Sequence, residues 1–273
     1  MEPVADLHIH TIYSDGAKSP EDILIRLENM GIKACAITDH DTVDGSAKAL
    51  SLQSKYNIEI ISGIEISCHE QAKEYHLLGY NIDVTNDKLL THLEKFRNGR
   101  RIRAEKILQR LKRERIEIEL DYVEEIAGVA PITRPHIANA MIKNKHVNNW
   151  REAFLLYLGD GKPAYVEKPN YPISEAIKLV NHAGGIASLA HPGRTIGPDV
   201  LHRVINYGLD AIEMIHPSHD VAMKKYYQNI ASQYCLMTTG GSDYHGTRDY
   251  DDFNLGKFTV PLSIIDSIKM YSH

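Results

Sequence analysis

The sequence predicts an α/β protein built on a closed or nearly closed β/α barrel of seven strands, interrupted by a helical insertion. Short apolar runs alternate with segments of helical period along most of the chain. Histidine and carboxylate side chains cluster directly after these runs, and residues 91–171 have helical period almost throughout. An open doubly wound sheet is the alternative, but no Gly-rich phosphate loop follows the first strand.

The predicted strands are the apolar runs 4–9, 32–38, 58–67, 74–82, 186–190, 211–215 and 235–239. Because side chains alternate along a strand, His8 and His10 are expected on the same face of the first one. Ser19 followed by Pro20 predicts a helix start, and Gly31 predicts its end. The other helices expected around the barrel are 46–56, 173–183, 199–207, 220–233 and 261–270.

The insertion divides the predicted barrel into two parts, 1–90 and 172–273. Within and around it, helices are expected at 86–114, 120–127, 134–143 and 149–157. We expect the insertion, 91–171, to lie over the barrel mouth. Its basic run at 97–103 could follow an RNA backbone, but a solvated helix face is the favoured interpretation.

The composition is that of a globular protein, with 273 residues, 43% hydrophobic and 25% charged. The apolar runs are much shorter than a membrane span, so no membrane association is expected. The net charge of −5 argues against stable binding of duplex nucleic acid. The first six residues show no basic region or apolar signal segment, so a cytoplasmic location is expected. Cys35, Cys68 and Cys235 form no CxxC pair and are expected to be small core residues.

Side chains that commonly bind metals follow the apolar runs from one end of the chain to the other, and we expect them at strand ends. They are His8, His10, Asp15, His40, Glu65, His76, His191, Asp243 and His245. A single His-x-His or Asp-His pair is a weak signal, but strand ends of a barrel converge on one rim, where catalytic residues lie.

Imidazole and carboxylate ligands suit Mn, Fe or Zn, and the absence of thiolates argues against a structural zinc site. The set exceeds the roughly four to six ligands of one ion, so two or three divalent ions are expected, with a carboxylate bridging. Such ions can hold a shared hydroxide that attacks phosphorus in line, and they stabilise both the attacking and the leaving oxygen. The predicted activity is therefore phosphoester hydrolysis.

The order of these motifs resembles that of the PHP (polymerase and histidinol phosphatase) family. The motifs are D-L-H-I-H, S-D-G, T-D-H, E-I-S, H-L-L-G, A-H-P-G-R and S-D-Y-H. The resemblance implies a distorted (β/α)7 barrel and a trinuclear, metal-dependent phosphoesterase site. It also implies a division of the ligands: His8, His10, Glu65 and Asp243 for one ion; Asp15, His40 and His245 for a second; and Glu65, His76 and His191 for the third, with Glu65 bridging.

A narrower resemblance comes from the insertion, in T-R-P-H-I-A at 133–138 and Y-L-G-D-G-K-P-A-Y-V at 157–166. These segments are similar to the small stand-alone PHP phosphoesterases. That group includes nucleoside 3',5'-bisphosphate phosphatases that also act as 5'-to-3' exoribonucleases on short RNA. The resemblance implies a small phosphorylated substrate, either a nucleotide or a short oligonucleotide.

Several residues are candidates for contact with that substrate. Arg134 and His136 begin a predicted helix, where a cation is unfavourable unless an anion binds nearby. Arg194 follows His191 closely and has the donor geometry to bind the scissile phosphate. Lys162 is a further candidate, although a solvated lysine is the favoured interpretation for its Gly-flanked loop. His219 is a candidate proton donor to the leaving oxygen, with a structural histidine as the alternative.

Two other functions compete with a nucleotide phosphoesterase. A histidinol-phosphate-type phosphatase would share the metal centre, but no acidic partner for an ammonium group is identifiable. A non-catalytic PHP module is the second alternative, although such modules usually lose ligands and all nine are present here.

Overall fold

A computed structural model describes residues 4–71, 73–194 and 196–273. The chain divides into two compact units, a barrel unit of residues 4–91 and 170–273 and a helical unit of residues 92–169. The strands are β1 Val4–Ile9, β2 Ala34–Ile37, β3 Glu59–Glu70, β4 Lys73–Tyr80, β5 Ile186–Leu189, β6 Ala211–Ile215, β7 Met237–Gly240 and β8 Val260–Pro261.

Most helices lie between these strands in sequence. They are α1 Pro20–Asn29, α2 Asp44–Ser51, α3 Asp87–Arg113, α4 Leu120–Ala127, α5 Arg134–Lys143, α6 Trp150–Ala153, α7 Ile173–His182, α8 Pro198–Asn206, α9 Val221–Tyr234, α10 Asp251–Asn254 and α11 Ser263–Tyr271. A 3-10 turn at Gln53–Lys55 follows α2, and a π-helical turn at Phe154–Leu158 follows α6. Among the described helices, none is both long enough and apolar enough to cross a membrane.

The sheet has the strand order β7-β6-β5-β4-β3-β2-β1-β8 and closes almost completely. The segment after β7 completes the ring by pairing with β1, because the Asp243 N–H donates to the His8 carbonyl oxygen at 2.9 Å. The His10 N–H donates in turn to the Tyr244 carbonyl oxygen at 2.8 Å. The predicted β/α barrel is thereby confirmed. The two-residue strand β8, antiparallel to β1, was not predicted.

The middle of the sheet departs from simple β/α alternation. Strand β4 is antiparallel to both β3 and β5, and β3 with β4 forms a hairpin in which Ser67 lies opposite His76. Glu65 and His76 consequently lie inside strands, so their expected placement at strand ends is wrong. The apolar run before Glu65 ends there, but hairpin pairing extends the strand to Glu70.

Local signals explain where the first helix begins. The Ser19 side chain accepts a hydrogen bond from the Asp22 N–H at 3.1 Å, and the Asp22 carboxylate accepts one from the Ser19 N–H at 3.2 Å. This reciprocal cap, with Pro20 in the first turn, confirms the predicted start of α1. Its buried face, which includes Leu24 and Leu27, packs against a core that contains Ile9.

The cysteines only partly follow their prediction. Cys35 and Cys68 are completely buried, as expected, but Cys235 is exposed. Cys235 ends α9 in the left-handed conformation, with φ of 55°. The expectation of a core position for Cys235 is therefore wrong, because Cys235 lies at the end of helix α9 and not inside a strand.

The helical unit has its own hydrophobic core, in which Ile107 and Leu111 of α3 pack with Val123 and Met141. The basic run on α3 is not wholly solvated, since Arg103 is 6% exposed and donates to the Val166 carbonyl oxygen at 2.7 Å. Arg101 is exposed and forms ion pairs with Glu105 and Glu124. Much of the positive charge of this run is therefore satisfied within the chain.

Candidate metal centre and phosphate-binding residues

All nine predicted metal ligands lie together in the barrel unit. Four groups of their side chains have ligand atoms within 4.8 Å of one another. These groups are His10–Asp15–His40–His245, His8–His10–Asp243, His8–Glu65–His191 and His40–Glu65–His76.

The group formed by His8, His10, Glu65 and Asp243, which we call the first position, has the dimensions of a metal site. The Nε2 atoms of His8 and His10 are 3.1 Å apart, and they lie 3.3 and 3.1 Å from Oε2 of Glu65. Oδ1 of Asp243 lies 3.3 and 3.2 Å from the same two nitrogens. Corners separated in this way surround a centre about 2 Å from each, which is the usual Zn–N and Zn–O distance. The spacing therefore fits one divalent ion.

A second group lies at Asp15. Its carboxylate oxygens are 3.4 Å from Nε2 of His245 and 4.0 Å from Nε2 of His40. The Nδ1–H of His245 donates to the carbonyl oxygen of Asp243 at 2.8 Å, which leaves Nε2 directed at Asp15. This backbone contact selects the ring nitrogen that can bind a metal.

Glu65 connects the first position with a third one, which is formed by His76, His191 and Glu65 itself. Its Oε1 atom lies 3.0 Å from Nδ1 of His76 and 3.0 Å from Nε2 of His191, while Oε2 faces His8 and His10. The side chain of Glu65 is completely buried. A carboxylate with one oxygen toward each set of imidazoles has the geometry of a bridging ligand.

The pKa values of the carboxylates and imidazoles in the cluster also indicate that it would bind cations. Burial would raise the pKa of Glu65, but the neighbouring imidazoles, chiefly His40 and His76, hold it well below its ordinary value. Burial lowers the pKa of His40 to about 3, against the attraction of Glu65 and Asp15. Burial would also lower the pKa of His10, yet the neighbouring carboxylates of Asp243 and Glu65 raise it to about 10. The ionised carboxylates thus attract protons onto some of the histidines, and divalent ions would supply that positive charge instead.

Three buried atoms of the cluster point to the same conclusion. Asp15 Oδ1, His40 Nδ1 and Glu65 Oε2 have no hydrogen-bond partner among the described residues. Buried polar atoms are nearly always satisfied in folded proteins, so this set of unmatched atoms fits the binding of a cation.

Glu213 supports two of the ligands, and its role was not recognised in the sequence. It is completely buried; Oε1 accepts from Nδ1–H of His8 at 2.9 Å and Oε2 accepts from the His191 N–H at 2.7 Å. The first contact directs Nε2 of His8 toward the cluster. A signal was available, because a carboxylate inside the apolar run of β6 would be costly to bury without partners.

Asp6 and Asp39 anchor the segments that carry other ligands. Asp6 accepts from the Ser242 N–H at 2.9 Å, next to Asp243, and burial raises its pKa to about 6. Asp39 accepts from the Thr11 N–H at 2.7 Å and from the Ser14 hydroxyl at 2.6 Å. Asp39 thereby fixes the turn that leads to Asp15.

Two candidate ligand residues adopt a backbone conformation that is unusual for residues other than glycine. His191 has φ of 24° and Asp243 has φ of 51°, both in the left-handed region. Their backbone N–H groups donate to Glu213 and to the His8 carbonyl oxygen, respectively. These contacts hold the strained residues in place, and such strain is frequent at functional sites.

The candidates for phosphate contact and proton transfer in the barrel unit occupy different environments. Arg194, expected at the scissile phosphate, donates to Asp220 at 2.5 Å, and both side chains are more than half exposed.

His219 donates from Nδ1 to the Met214 carbonyl oxygen at 3.0 Å and accepts at Nε2 from the Gly193 N–H at 3.1 Å. Both nitrogens of His219 are therefore engaged by the backbone, as in a positioning residue. His216 is closer to the cluster, with Nε2 3.5 Å from Asp243.

The remaining phosphate candidates lie in the helical unit. Arg134 donates to the exposed Asp160 at 2.7 Å and lies over the rings of Phe154 and Tyr165. His136 is buried, and its Nδ1 accepts from the Thr133 N–H at 3.1 Å as part of the cap of α5. Lys162 is exposed in the loop after the π-helical turn.

A β/α barrel that gathers histidines and carboxylates around a buried glutamate is typical of metal-dependent hydrolases. The PHP domain model matches residues 6–159, and the chain belongs to the PHP family.

Among its relatives is a 5'-3' exoribonuclease of Haemophilus influenzae, 32% identical over 96% of this chain and 96% of its own length. A 3',5'-nucleoside bisphosphate phosphatase of Chromobacterium violaceum is 30% identical over 88% of this chain and 86% of its own. A crystal structure from Bifidobacterium adolescentis, assigned as a metal-dependent phosphoesterase, superposes with a TM-score of 0.88 at 26% identity, covering 98% of this chain and 96% of that one.

Proposed function

We propose that this protein is a metal-dependent phosphoesterase that hydrolyses a phosphate monoester of a nucleotide, either a nucleoside 3',5'-bisphosphate or the 5' end of a short RNA. The observation that carries this proposal is the cluster of nine ligands arranged around Glu65. Near full-length similarity to an exoribonuclease and to a nucleoside bisphosphate phosphatase supports the substrate class. Both of those names describe hydrolysis of a phosphoester bond.

The residues divide among three positions for divalent ions. We assign His8, His10 and Asp243 to the first, and Asp15, His40 and His245 to the second. His76 and His191 hold the third, with Glu65 shared between the third and the first. Bound ions of Mn, Fe or Zn polarise the phosphoryl oxygens and lower the pKa of a coordinated water. Glu213 and Asp39 keep the ligands oriented.

Arg194 is the proposed contact of the barrel unit with the scissile phosphate. To reach a phosphate oxygen it must leave Asp220, and an exposed ion pair of this kind contributes little to stability. A doubly charged phosphate is the stronger partner for a guanidinium, so this exchange is favourable. His219 keeps the neighbouring Gly193 in place; its use as a proton donor would require one of its two backbone hydrogen bonds to break.

The helical unit supplies the proposed contacts with a second phosphate. Arg134 pairs with an exposed carboxylate that a phosphate can replace. His136 lies in the first turn of α5, where the helix dipole favours a bound anion, and we assign it to the same phosphate. Lys162 is the third candidate. These contacts would select a bisphosphate or an RNA end over a mononucleotide, and we expect no stable binding of duplex nucleic acid.

A cytoplasmic location remains part of the proposal. It is supported by the three free cysteines, which suit a reducing compartment.

Phosphate release tests the function directly. The wild type, reconstituted with Mn, is compared on adenosine 3',5'-bisphosphate, 5'-AMP and histidinol phosphate. We expect kcat/KM for the bisphosphate to exceed that for 5'-AMP by roughly tenfold, or about 1.4 kcal/mol. Glu65→Gln is expected to lose both bound metal and activity. His202→Ala serves as the matched control because it removes an exposed histidine on α8, and it should retain both.

The outcomes separate the competing functions. A preference for histidinol phosphate would overturn the substrate assignment and leave the metal chemistry in place. Full metal occupancy without hydrolysis of any of the three compounds would contradict the proposed activity.

A further inference from the structure

A cavity of about 350 Å³ lies directly beside the loop that carries the metal ligand His191. The residues that line it come from this loop, from the start of α8 and from α9. They are Gly193, Arg194, Ile196, Pro198, Ala222, Met223, Tyr226 and Tyr227. None of them is a proposed metal ligand, and pockets of this volume are typical of small-molecule sites.

The cavity and the metal centre share one short segment of chain. The ring of His191 faces Glu65 at 3.0 Å, and Gly193, two residues later, forms part of the cavity wall. Consecutive Cα atoms are about 3.8 Å apart, so the Cα atoms of His191 and Gly193 are separated by less than about 8 Å. A ligand whose phosphate lies at the metal centre can therefore place an adjoining group in this cavity.

Hydrogen bonds fix the position of the shared segment. The Gly193 N–H donates to Nε2 of His219, and the Tyr227 hydroxyl donates to the Gly193 carbonyl oxygen. The ring of Tyr227 stacks on that of His219, with centroids 5.3 Å apart. The wall formed by Gly193 and Tyr227 is thus rigid and is attached to the ligand loop.

Tyr226 forms a different kind of wall. Its side chain is 43% exposed, whereas Tyr227 is 1% exposed. The two rings lie 5.1 Å apart at 71°, and the exposed ring of Tyr226 lines the cavity together with Tyr227. Met223, Ile196 and Pro198 add apolar surface around it. An exposed aromatic ring beside an apolar cavity is suited to a flat, aromatic ligand.

We infer that this cavity binds the nucleobase of the substrate, with the base stacked on Tyr226 while the phosphate occupies the metal centre. This inference rests on the proposed function and extends it, because it gives the barrel unit a means of preferring nucleotides over other phosphate esters. Stacking accepts every base, so the selection concerns the presence of a base rather than its identity. For a short RNA, the base in the cavity would be that of the terminal nucleotide.

The test compares adenosine 3',5'-bisphosphate with the same bisphosphate lacking a base, 1-deoxyribose 3,5-bisphosphate. Equilibrium binding and kcat/KM are measured for the metal-loaded wild type, Tyr226→Ala, Tyr226→Phe and Val221→Ala. Val221 is the matched control, since it lies on the same helix, is 83% exposed and does not line the cavity. Tyr226→Phe retains the ring and removes only the hydroxyl.

We expect the wild type to bind the base-bearing compound roughly tenfold more tightly, the size of effect known for stacking. Tyr226→Ala should abolish this preference and leave binding of the baseless compound unchanged. Tyr226→Phe and Val221→Ala should retain the preference. A loss of binding for both compounds in Tyr226→Ala would indicate a structural disturbance instead and would contradict the inference.

The inference and the proposed function fail in distinguishable ways. If the wild type hydrolyses both compounds equally, or if Tyr226→Ala keeps the preference, the cavity is not a base site and the phosphoesterase function stands. If the wild type hydrolyses neither compound, the proposed function fails. The binding measurements still decide the base site in that case, because they require no turnover.

Discussion

Glu65 has more ligand partners than any other residue of the cluster described above. Three imidazoles lie within 3.3 Å of its Oε2 atom and two within 3.0 Å of its Oε1 atom. A buried carboxylate with this environment is unfavourable without compensating positive charge. Its position inside β3, rather than in a mobile loop, keeps both oxygens fixed relative to the two sets of imidazoles.

Glu213 offers a test of how the surrounding residues control the metal ligands. In Glu213→Gln, one end of the amide can still accept a hydrogen bond, but the other end presents N–H groups to a donor. Either His8 or the backbone of His191 then loses its acceptor. We expect metal affinity to fall by roughly 10- to 100-fold, measured by titration in metal buffers.

The control for this substitution is Glu175→Gln, which changes an exposed glutamate on α7 that pairs with Lys178. It should bind metal as the wild type does. Unchanged affinity in Glu213→Gln would show that His8 and His191 are held by their own backbone rather than by Glu213.

The sequence indicates the candidate ligands more readily than the residues that support them. His8 and Asp243 belong to motifs whose residue types are themselves metal ligands. Glu213 and Asp6 are single carboxylates within apolar runs, and their partners are remote: Asp6 and Ser242 are 236 positions apart. Such pairings depend on barrel closure, which no local pattern specifies.

At the level of the elements, the segment that follows β7 approaches β1 very closely. A Cβ added at Gly241 would lie 2.3 Å from the backbone nitrogen of His8 and 2.4 Å from its Cβ. Glycine at this position therefore lets the segment that carries Asp243 and His245 pack directly against the strand that carries His8.

Gly241→Ala is expected to separate these two segments. We expect a loss of about 1–3 kcal/mol in the free energy of unfolding, the usual cost of overpacking, together with weaker metal binding. Urea unfolding with and without metal measures both effects. Gly99→Ala, in the interior of α3, is the control and should be neutral or stabilising by up to about 1 kcal/mol. Equal stability of the two variants would contradict the tight packing at Gly241.

The elements that were predicted most accurately are those fixed by nearby residues. The capping residues Ser19 and Asp22 determine the start of α1, and all of the relevant atoms lie within four positions. The β3–β4 hairpin was not anticipated, because each strand has an apolar pattern that is compatible with either direction of pairing. The consequence was the wrong placement of Glu65 and His76 at strand ends.

For the molecule as a whole, the metal ions are expected to be part of the folded structure. Ligands come from β1, β3 and β4 and from the loops after β1, β2, β5 and β7, so bound ions connect most of the barrel. We expect removal of metal with a chelator to lower the Tm by about 10 °C, since a ligand at 1,000 times its Kd stabilises by about 4 kcal/mol. Differential scanning calorimetry before and after re-addition of metal measures this change.

The metal-free protein is also expected to lose stability as the pH rises. The pKa of His10 is raised to about 10 in the folded protein, above its ordinary value of 6.5. A raised pKa contributes stability that is complete below pH 6.5 and is lost as the pH rises toward 10. Metal-loaded protein should not show this loss, because the ions supply the positive charge. A Tm of the metal-free protein that rises over this range would contradict the assignment.

Closure of the barrel between β1 and the segment after β7 also has a consequence for synthesis. The first and last candidate ligands, His8 and His245, are separated by more than 230 residues. At bacterial or eukaryotic elongation rates, roughly 10–50 s pass between translation of His8 and translation of Asp243. During that interval a nascent chain holds only part of the ligand set, so the complete metal centre can form only after the segment that follows β7 has been synthesised.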